Sequence, residues 1–311
     1  MQREIDQNGA FLMEFFSVLL PIFFIFGVGF VGEKMLHIDV KPVSTVSVYL
    51  MSPILGFSVF YETEFNSDYV MMTIYALALV FCIIAIVYLV GKLRGYSTNK
   101  TCGMILSSAF MNNGNYGTPL VLFAFGVPAL HYAVILMVIQ QLIMATIGIY
   151  YAAKGSSENP SNKETLQKVL RVPIVYGALL GIAFHFWHVP ISNTMMDAIQ
   201  MVGNAAIPTV MLVLGMQLAK ISVKNLRIPQ LSFALVLRLV VSPLIAWGMT
   251  LFLPVDDLLK QIMIVLAAMP SAANTTLYAL QYDTDPDFVS SATLFSTLLS
   301  LITLPIVLSL V

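Results

Sequence analysis

The sequence predicts an all-α polytopic membrane protein, with ten transmembrane helices arranged as two five-helix repeats of inverted topology. Three observations carry this. First, the chain is 59% apolar and only 10% charged, well outside the usage of soluble globular domains. Second, apolar runs near the length needed to cross the hydrocarbon core, about 20 residues, recur between short charged loops. Third, the basic residues crowd into alternating loops.

The spans follow in order, with ends uncertain by a few residues: 15–32, 42–60, 69–91, 101–126, 129–153, 170–188, 196–218, 229–253, 258–281 and 287–310. The start, "MQREIDQNGAFLMEFF", lacks a basic n-region and a small-residue cleavage site. It reads as the approach to a retained first span rather than a signal peptide. Spans 4 and 5 lie in Thr101–Ala153, 53 residues without Asp, Glu, Lys or Arg, and only "GVPAL" separates them. Spans 9 and 10 are separated by "YDTDPD". Cys82 and Cys102 sit in or beside apolar runs and read as small core residues, not as a disulfide framework.

Lys34 and Lys41, then Lys92, Arg94 and Lys100, then Lys154, Lys163, Lys168 and Arg171, then Lys220, Lys224 and Arg227 fall after spans 1, 3, 5 and 7, which puts twelve on one side. The other side has two, Arg3 and Lys260. The positive-inside rule makes the first side cytoplasmic. Both termini are then extracellular and the 154–169 linker, "KGSSENPSNKETLQK", is cytoplasmic. That linker divides residues 1–153 from residues 170–311, five spans each.

Five spans per half means that the second half enters the membrane from the opposite side, so similarity between halves implies inverted repeats. Span 1 has Pro21, Gly27 and Gly29 where span 6 has Pro173, Gly177 and Gly181. Span 2 has Pro53 and span 7 has Pro208; span 4 has "NNGNYGTP" and span 9 has "MPSAANTT"; Pro128 and Pro286 precede spans 5 and 10. The rival reading is that Gly and Pro are common in membrane helices, with Gly177 and Gly181 a simple packing face.

Spans 4 and 9 hold the polar residues of interest. Lipid offers no hydrogen bonds, so unwound backbone at depth must be buried in protein or line a polar cavity. In span 4, Pro119 breaks the helix, and Thr118 fits an N-cap followed by a first-turn proline. In span 9, Pro270 with Ser271, Asn274 and Thr275 offers a matching break. Two half-helix N-termini would then meet near the midplane. Each carries free N–H groups and about half a positive charge, so the pair makes an anion site without Lys or Arg. Asn112, Asn113, Asn115, Tyr116 and Asn274 would supply further donors and acceptors. A proline kink with asparagines joining helices is the alternative.

Gln140 and Gln141 lie mid-span in span 5, where a binding role and inter-helix hydrogen bonding are equally available. Ser52 and Pro53, with Asn204 and Pro208, are candidates for the opposite wall, against simple packing. Arg238 is the one ionised residue well inside a span, about 13 Å along span 8 by helical rise. It would attract an anion in a cytoplasmic vestibule or snorkel to headgroups. No Asp or Glu lies deep in a span, which argues against a carboxylate ion relay. "HFWH", His185 to His188, fits an aromatic belt better than a metal site. No catalytic set, phosphate loop or basic tail is present, so enzyme and nucleic-acid functions are set aside, and no metal or cofactor is expected.

"NNGNYGTPL" and "YALQYDTDPDFVSSATLFSTLLSLITLPIVL" resemble elements of the auxin efflux carrier family, within the bile acid/arsenite/auxin transporter superfamily. That family includes plant carriers and bacterial carboxylate carriers, and the resemblance runs over essentially the whole chain. It implies a fold shared with bile-acid symporters and sodium/proton antiporters of the NhaA type, in which two discontinuous helices cross at the substrate site. Spans 1, 2, 6 and 7 would form a scaffold, often a homodimer, and spans 3–5 and 8–10 a moving core. The expected function is efflux or exchange of a small organic anion across the plasma membrane by an elevator-like movement. Sodium- or proton-coupled uptake is the runner-up, with the coupling ion open, and a non-transporting receptor comes third. The chain departs from the plant pattern in lacking a Pro between its first Asn pair and in its short central loop. Auxin as substrate does not carry over.

Overall fold

The computed structural model describes residues 2–64, 66–156, 173–221 and 227–311, with side chains from Leu19 onward. The expected linker from residue 157 on, with Lys163 and Lys168, lies outside the described residues, as do Arg171 and Lys224. Among those described there are helices and no strand, apart from one isolated bridge. The helices are α1 (Gln2–Leu36), α2 (Val40–Glu62), α3 (Asp68–Arg94), α4 (Thr98–Ser108), α5 (Thr118–Phe125), α6 (Val127–Gly155), α7 (Pro173–Phe186), α8 (Asn193–Lys220), α9 (Ile228–Thr250), α10 (Asp257–Ala267), α11 (Ala273–Tyr282) and α12 (Pro286–Leu310).

Seven of these, among the described residues, are long and apolar enough to cross a membrane: α1, α2, α3, α6, α8, α9 and α12. They correspond to expected spans 1, 2, 3, 5, 7, 8 and 10. Expected spans 4 and 9 are each interrupted, as α4 and α5 and as α10 and α11. Span 6 is described only from Pro173, as the shorter α7. Side chains such as Phe24, Leu89, Leu244 and Phe252 point outward and leave an apolar outer surface suited to lipid.

Helix ends follow local chemistry. Asp256 Oδ1 accepts from the Leu259 N–H at 2.7 Å and starts α10; Ser192 and Ser97 cap α8 and α4 in the same way. At the "YDTDPD" turn Asp283 and Asp285 take left-handed φ values of 52° and 49°, a conformation that Asp tolerates better than most residues. That turn is held by the Asn99 side chain, which donates to Asp283 O at 3.0 Å and Gly155 O at 2.9 Å, and by the ion pair of Arg227 with Asp285.

One group of helices, α1, α2, α7 and α8, is knitted by backbone contact at glycines. A Cβ on Gly29 would lie 2.2 Å from Leu212 O, and one on Gly215 would lie 2.0 Å from Phe26 O, so α1 and α8 touch backbone to backbone. Likewise a Cβ on Gly177 or Gly181 would meet Pro53 O or Phe57 O at 1.9 or 2.5 Å, which joins α7 to α2. Such approaches replace a hydrophobic driving force that lipid does not supply. Gly27, by contrast, has nothing within 4 Å.

Two of the long helices, α2 and α9, contain a π-turn followed by Ser-Pro, and a π-turn ahead of the short α5 is followed by Thr-Pro: Ser47–Met51 before Ser52-Pro53, Leu237–Val241 before Ser242-Pro243, and Asn113–Gly117 before Thr118-Pro119. The reason is local. Proline lacks the N–H that an α-turn needs, and one extra residue eases its ring past the preceding turn. At Ser52 and Thr118 the hydroxyl reaches back five residues: Ser52 Oγ donates to Ser47 O and Thr118 Oγ1 to Asn113 O, both at 2.9 Å.

Candidate functional site

The two interruptions meet. Chain 109–112, after α4, runs antiparallel to chain 268–272, after α10, and Met111 and Ser271 form the isolated bridge. The Asn112 N–H donates to Pro270 O at 2.9 Å, and the Ala272 N–H donates to Phe110 O at 3.0 Å. Ser271 N–H donates to Ser296 Oγ at 3.1 Å, and Ser271 Oγ donates to Ser107 O. Each unwound segment thus supplies the hydrogen bonds that the other needs at a depth where lipid offers none.

The half-helices start differently from the sequence expectation. The first begins five residues earlier, as the π-turn from Asn113, with Asn112 Oδ1 as its cap, 3.4 Å from the Asn115 N–H. Thr118 is not the cap: its hydroxyl is spent on Asn113 O inside the turn. The second begins at Ala273 with no side-chain cap, and Thr275 Oγ1 folds back to Ala272 O at 2.7 Å. The first N–H groups of both half-helices have no intrahelical partner, by the geometry of any helix start.

Beside the crossing lies a cavity of about 70 Å³. Asn115, Thr118, Gln141 and Asn274 line one wall. Ser44, Ser47 and Ser52 on α2 and Gln217 on α8 line the other. Among the described residues no charged side chain lines it. It shares Ser44, Val48, Gln217 and Asn274 with a larger opening of about 830 Å³, which reaches the end of the molecule bearing Lys41 and Lys220 and is also lined by Asp39 and Asp287. A third space of about 10 Å³, room for one water by volume, sits behind the crossing among Asn112, Asn113, Gln140 and Gln141.

The expected site residues therefore divide. Asn115, Thr118, Gln141 and Asn274 come together at the main cavity, and Asn112, Asn113 and Gln140 at the small one. Tyr116 is fully buried elsewhere: its ring meets Phe23 and Phe26 edge-on at 5.8 and 5.1 Å, and its hydroxyl accepts from Ser300 Oγ at 3.1 Å. Pro119 and Pro270 shape the backbone, and Ser271 and Thr275 stitch it, without lining either space. Of the opposite-wall candidates only Ser52 lines the main cavity. Pro53 faces α7, while Asn204 and Pro208 are exposed on the outer side of α8. Ser44, Ser47 and Gln217 were not singled out from sequence, although hydroxyls three residues apart on an apolar helix are a readable signal. His185 Nδ1 lies 2.9 Å from Tyr61 O, a structural contact at a helix end.

Arg238 lies neither in the vestibule nor at the headgroups, as its two expected roles required. Its side chain is fully buried beneath the crossing. One guanidinium nitrogen donates to Ser108 O at 3.0 Å, and another to Ala267 O and Ser242 Oγ. Ser108 ends α4 and Ala267 ends α10. One cation thus closes the carbonyl ends of both inbound half-helices, where the helix dipole is negative. Nearby, Tyr75 Oη donates to Met263 O at 2.8 Å.

A helical membrane protein with two mutually paired helix breaks beside a cavity lined by amides, hydroxyls and apolar side chains has the build of a transport protein. A model of the family described as membrane transport protein matches residues 14–308. The chain belongs to that family, the auxin efflux carrier family. It is 29% identical over 284 residues to an uncharacterised transporter of Methanothermobacter thermautotrophicus, covering 89% of this chain and 90% of that one. It is 23% identical over 306 residues to a putative malonate transporter of Rhizobium meliloti, covering 94% of each. Auxin efflux carrier component 2 of Arabidopsis thaliana matches at 26% over 142 residues, 43% of this chain and 22% of that protein.

Proposed function

We propose that this transporter carries a small organic anion, with a carboxylate as the charged group, and that the anion sits at the crossing. The observation that carries the reading is the pairing of Phe110–Asn112 with Pro270–Ala272 next to a cavity lined by amides and hydroxyls. The first N–H groups of the turn from Asn113 and of α11 provide about half a positive charge each, which suits one carboxylate. Among the described residues no acidic side chain lines the cavity, which favours transport driven by the anion's own gradient over ion-coupled uptake.

The reading extends to the whole fold. Ten crossings form two inverted repeats: α1 meets α8 through Gly29 at Leu212 O as α7 meets α2 through Gly181 at Phe57 O, which is the pairing that exchange of halves requires. Helices α1, α2, α7 and α8 form the scaffold, and the rest form a core that moves past it as an elevator. With the basic ends of α1, α3, α6 and α8 in the cytoplasm of a plasma-membrane protein, the 830 Å³ opening faces inward. The family resemblance adds a homodimer built on the scaffold.

The test uses purified protein in proteoliposomes, with labelled propanoate, lactate and malonate as probes. Asn115→Ala and Asn274→Ala should each reduce anion flux at least tenfold, about the loss of one or two hydrogen bonds to a charged group. Wild-type flux in both variants would sink the assignment of the site. Flux that needs an imposed sodium or proton gradient would replace facilitated transport with symport.

A further inference from the structure

We infer that Ser47 and Gln217, with Ser44 at the throat, are the scaffold half of the substrate site, and that they bind a second, neutral polar group of the cargo. The cargo is then a monoanionic hydroxy- or oxo-carboxylate rather than a simple alkyl carboxylate. This rests on the carboxylate site proposed above and adds the opposite wall to it. The Ser47 hydroxyl is fully buried and has no hydrogen-bond partner, and Gln217 Oε1 is likewise buried and unpartnered. A buried polar atom left unpaired destabilises a protein, a cost that a ligand group can remove. Ser52 differs, because its hydroxyl is already committed to Ser47 O. Both residues line the cavity opposite Asn115 and Asn274. The π-turn at Ser47–Met51 brings Ser47 to this wall, by inserting one residue ahead of Pro53.

The chemistry of the wall selects the group. Hydroxyl and amide both donate and accept, so an alcohol or a ketone oxygen is served equally well. Among the described residues a second carboxylate would meet no cation on this wall, and the fully buried Arg238 is occupied by Ser108 O and Ala267 O. An alkyl group would leave both wall atoms unpaired, and sites built around a hydrogen bond reject analogues that lack it.

Lactate and propanoate differ by one hydroxyl, so their flux ratio in proteoliposomes reads this wall directly. Wild type should carry lactate about tenfold faster than propanoate at equal concentration. Ser47→Ala and Gln217→Met should each lower lactate flux about fivefold more than propanoate flux, so the ratio falls even if total activity changes. Propanoate flux also reports that each variant is folded. A wild type that carries both anions alike, or neither, overturns the inference, as does an unchanged ratio in both variants. Asn115→Ala and Asn274→Ala should lower both fluxes together. If they do so while the Ser47 and Gln217 variants keep the wild-type ratio, the crossing site stands and the scaffold wall falls.

Discussion

Replacing Arg238 with methionine should loosen the crossing without touching the cavity wall. The side chain is fully buried, and its guanidinium holds Ser108 O at 3.0 Å and also Ala267 O. Ser242 Oγ reaches Ala267 O at 2.9 Å by itself, so that carbonyl keeps one partner in the variant. Ser108 O loses its side-chain donor, worth about 1–3 kcal/mol for a buried acceptor. Two helix C-termini lose their shared cation, worth up to about 2 kcal/mol each in a partly buried geometry. Relief of the cost of burying the cation opposes these losses. The net loss is about 3 kcal/mol, or roughly a 6 °C drop in melting temperature by the scaling for domains of 150–250 residues. Arg238→Lys keeps the charge but not the planar fork, and should recover about half. The assay is thermal unfolding in detergent followed by the fluorescence of Trp187 and Trp247. If methionine and wild type melt within a degree or so of each other, or lysine is no better than methionine, the capping account is wrong.

Other expectations follow from the same contacts. Gly177→Leu forces a side chain where even a Cβ would lie 1.9 Å from Pro53 O, and should abolish the monodisperse peak in size-exclusion chromatography; Gly27→Ala, with nothing within 4 Å, should melt at or slightly above wild type. Tyr75→Phe removes the donor to Met263 O and should cost about 1–2 kcal/mol in the same melting assay. Among the described residues no titratable side chain lines the 70 Å³ cavity, so uptake of an anion that stays ionised should vary less than about twofold between about pH 6 and about pH 8. A steep pH profile for such a probe would point to a proton-coupled step.

Much of this protein is legible from sequence because a bilayer is an undemanding reader. Every backbone group must be satisfied inside its own segment, so apolar length alone marks α1, α2, α3, α6, α8, α9 and α12. The same rule makes "NNGNYGTP" and "MPSAANTT" conspicuous, since breaks at such depth need partners, and the partners turned out to be each other. Asn115 and Asn274, which line the 70 Å³ cavity, lie in those two breaks, whereas Gln141, which lines it too, stands out in the sequence separately, as an amide in the middle of a span. Tertiary structure decided what one-dimensional patterns do not carry. Side-chain direction shifts by about 100° with each residue, so one extra residue in a π-turn decides which serines of α2 face the cavity. That brings Ser47 to the site, while Pro53 faces α7. Arg238 shows the same division. Its depth in span 8 could be counted along the chain, but the two carbonyl ends it closes come from helices about 130 and 29 residues away in sequence, and only the packing of α4 and α10 against α9 brings them to one guanidinium.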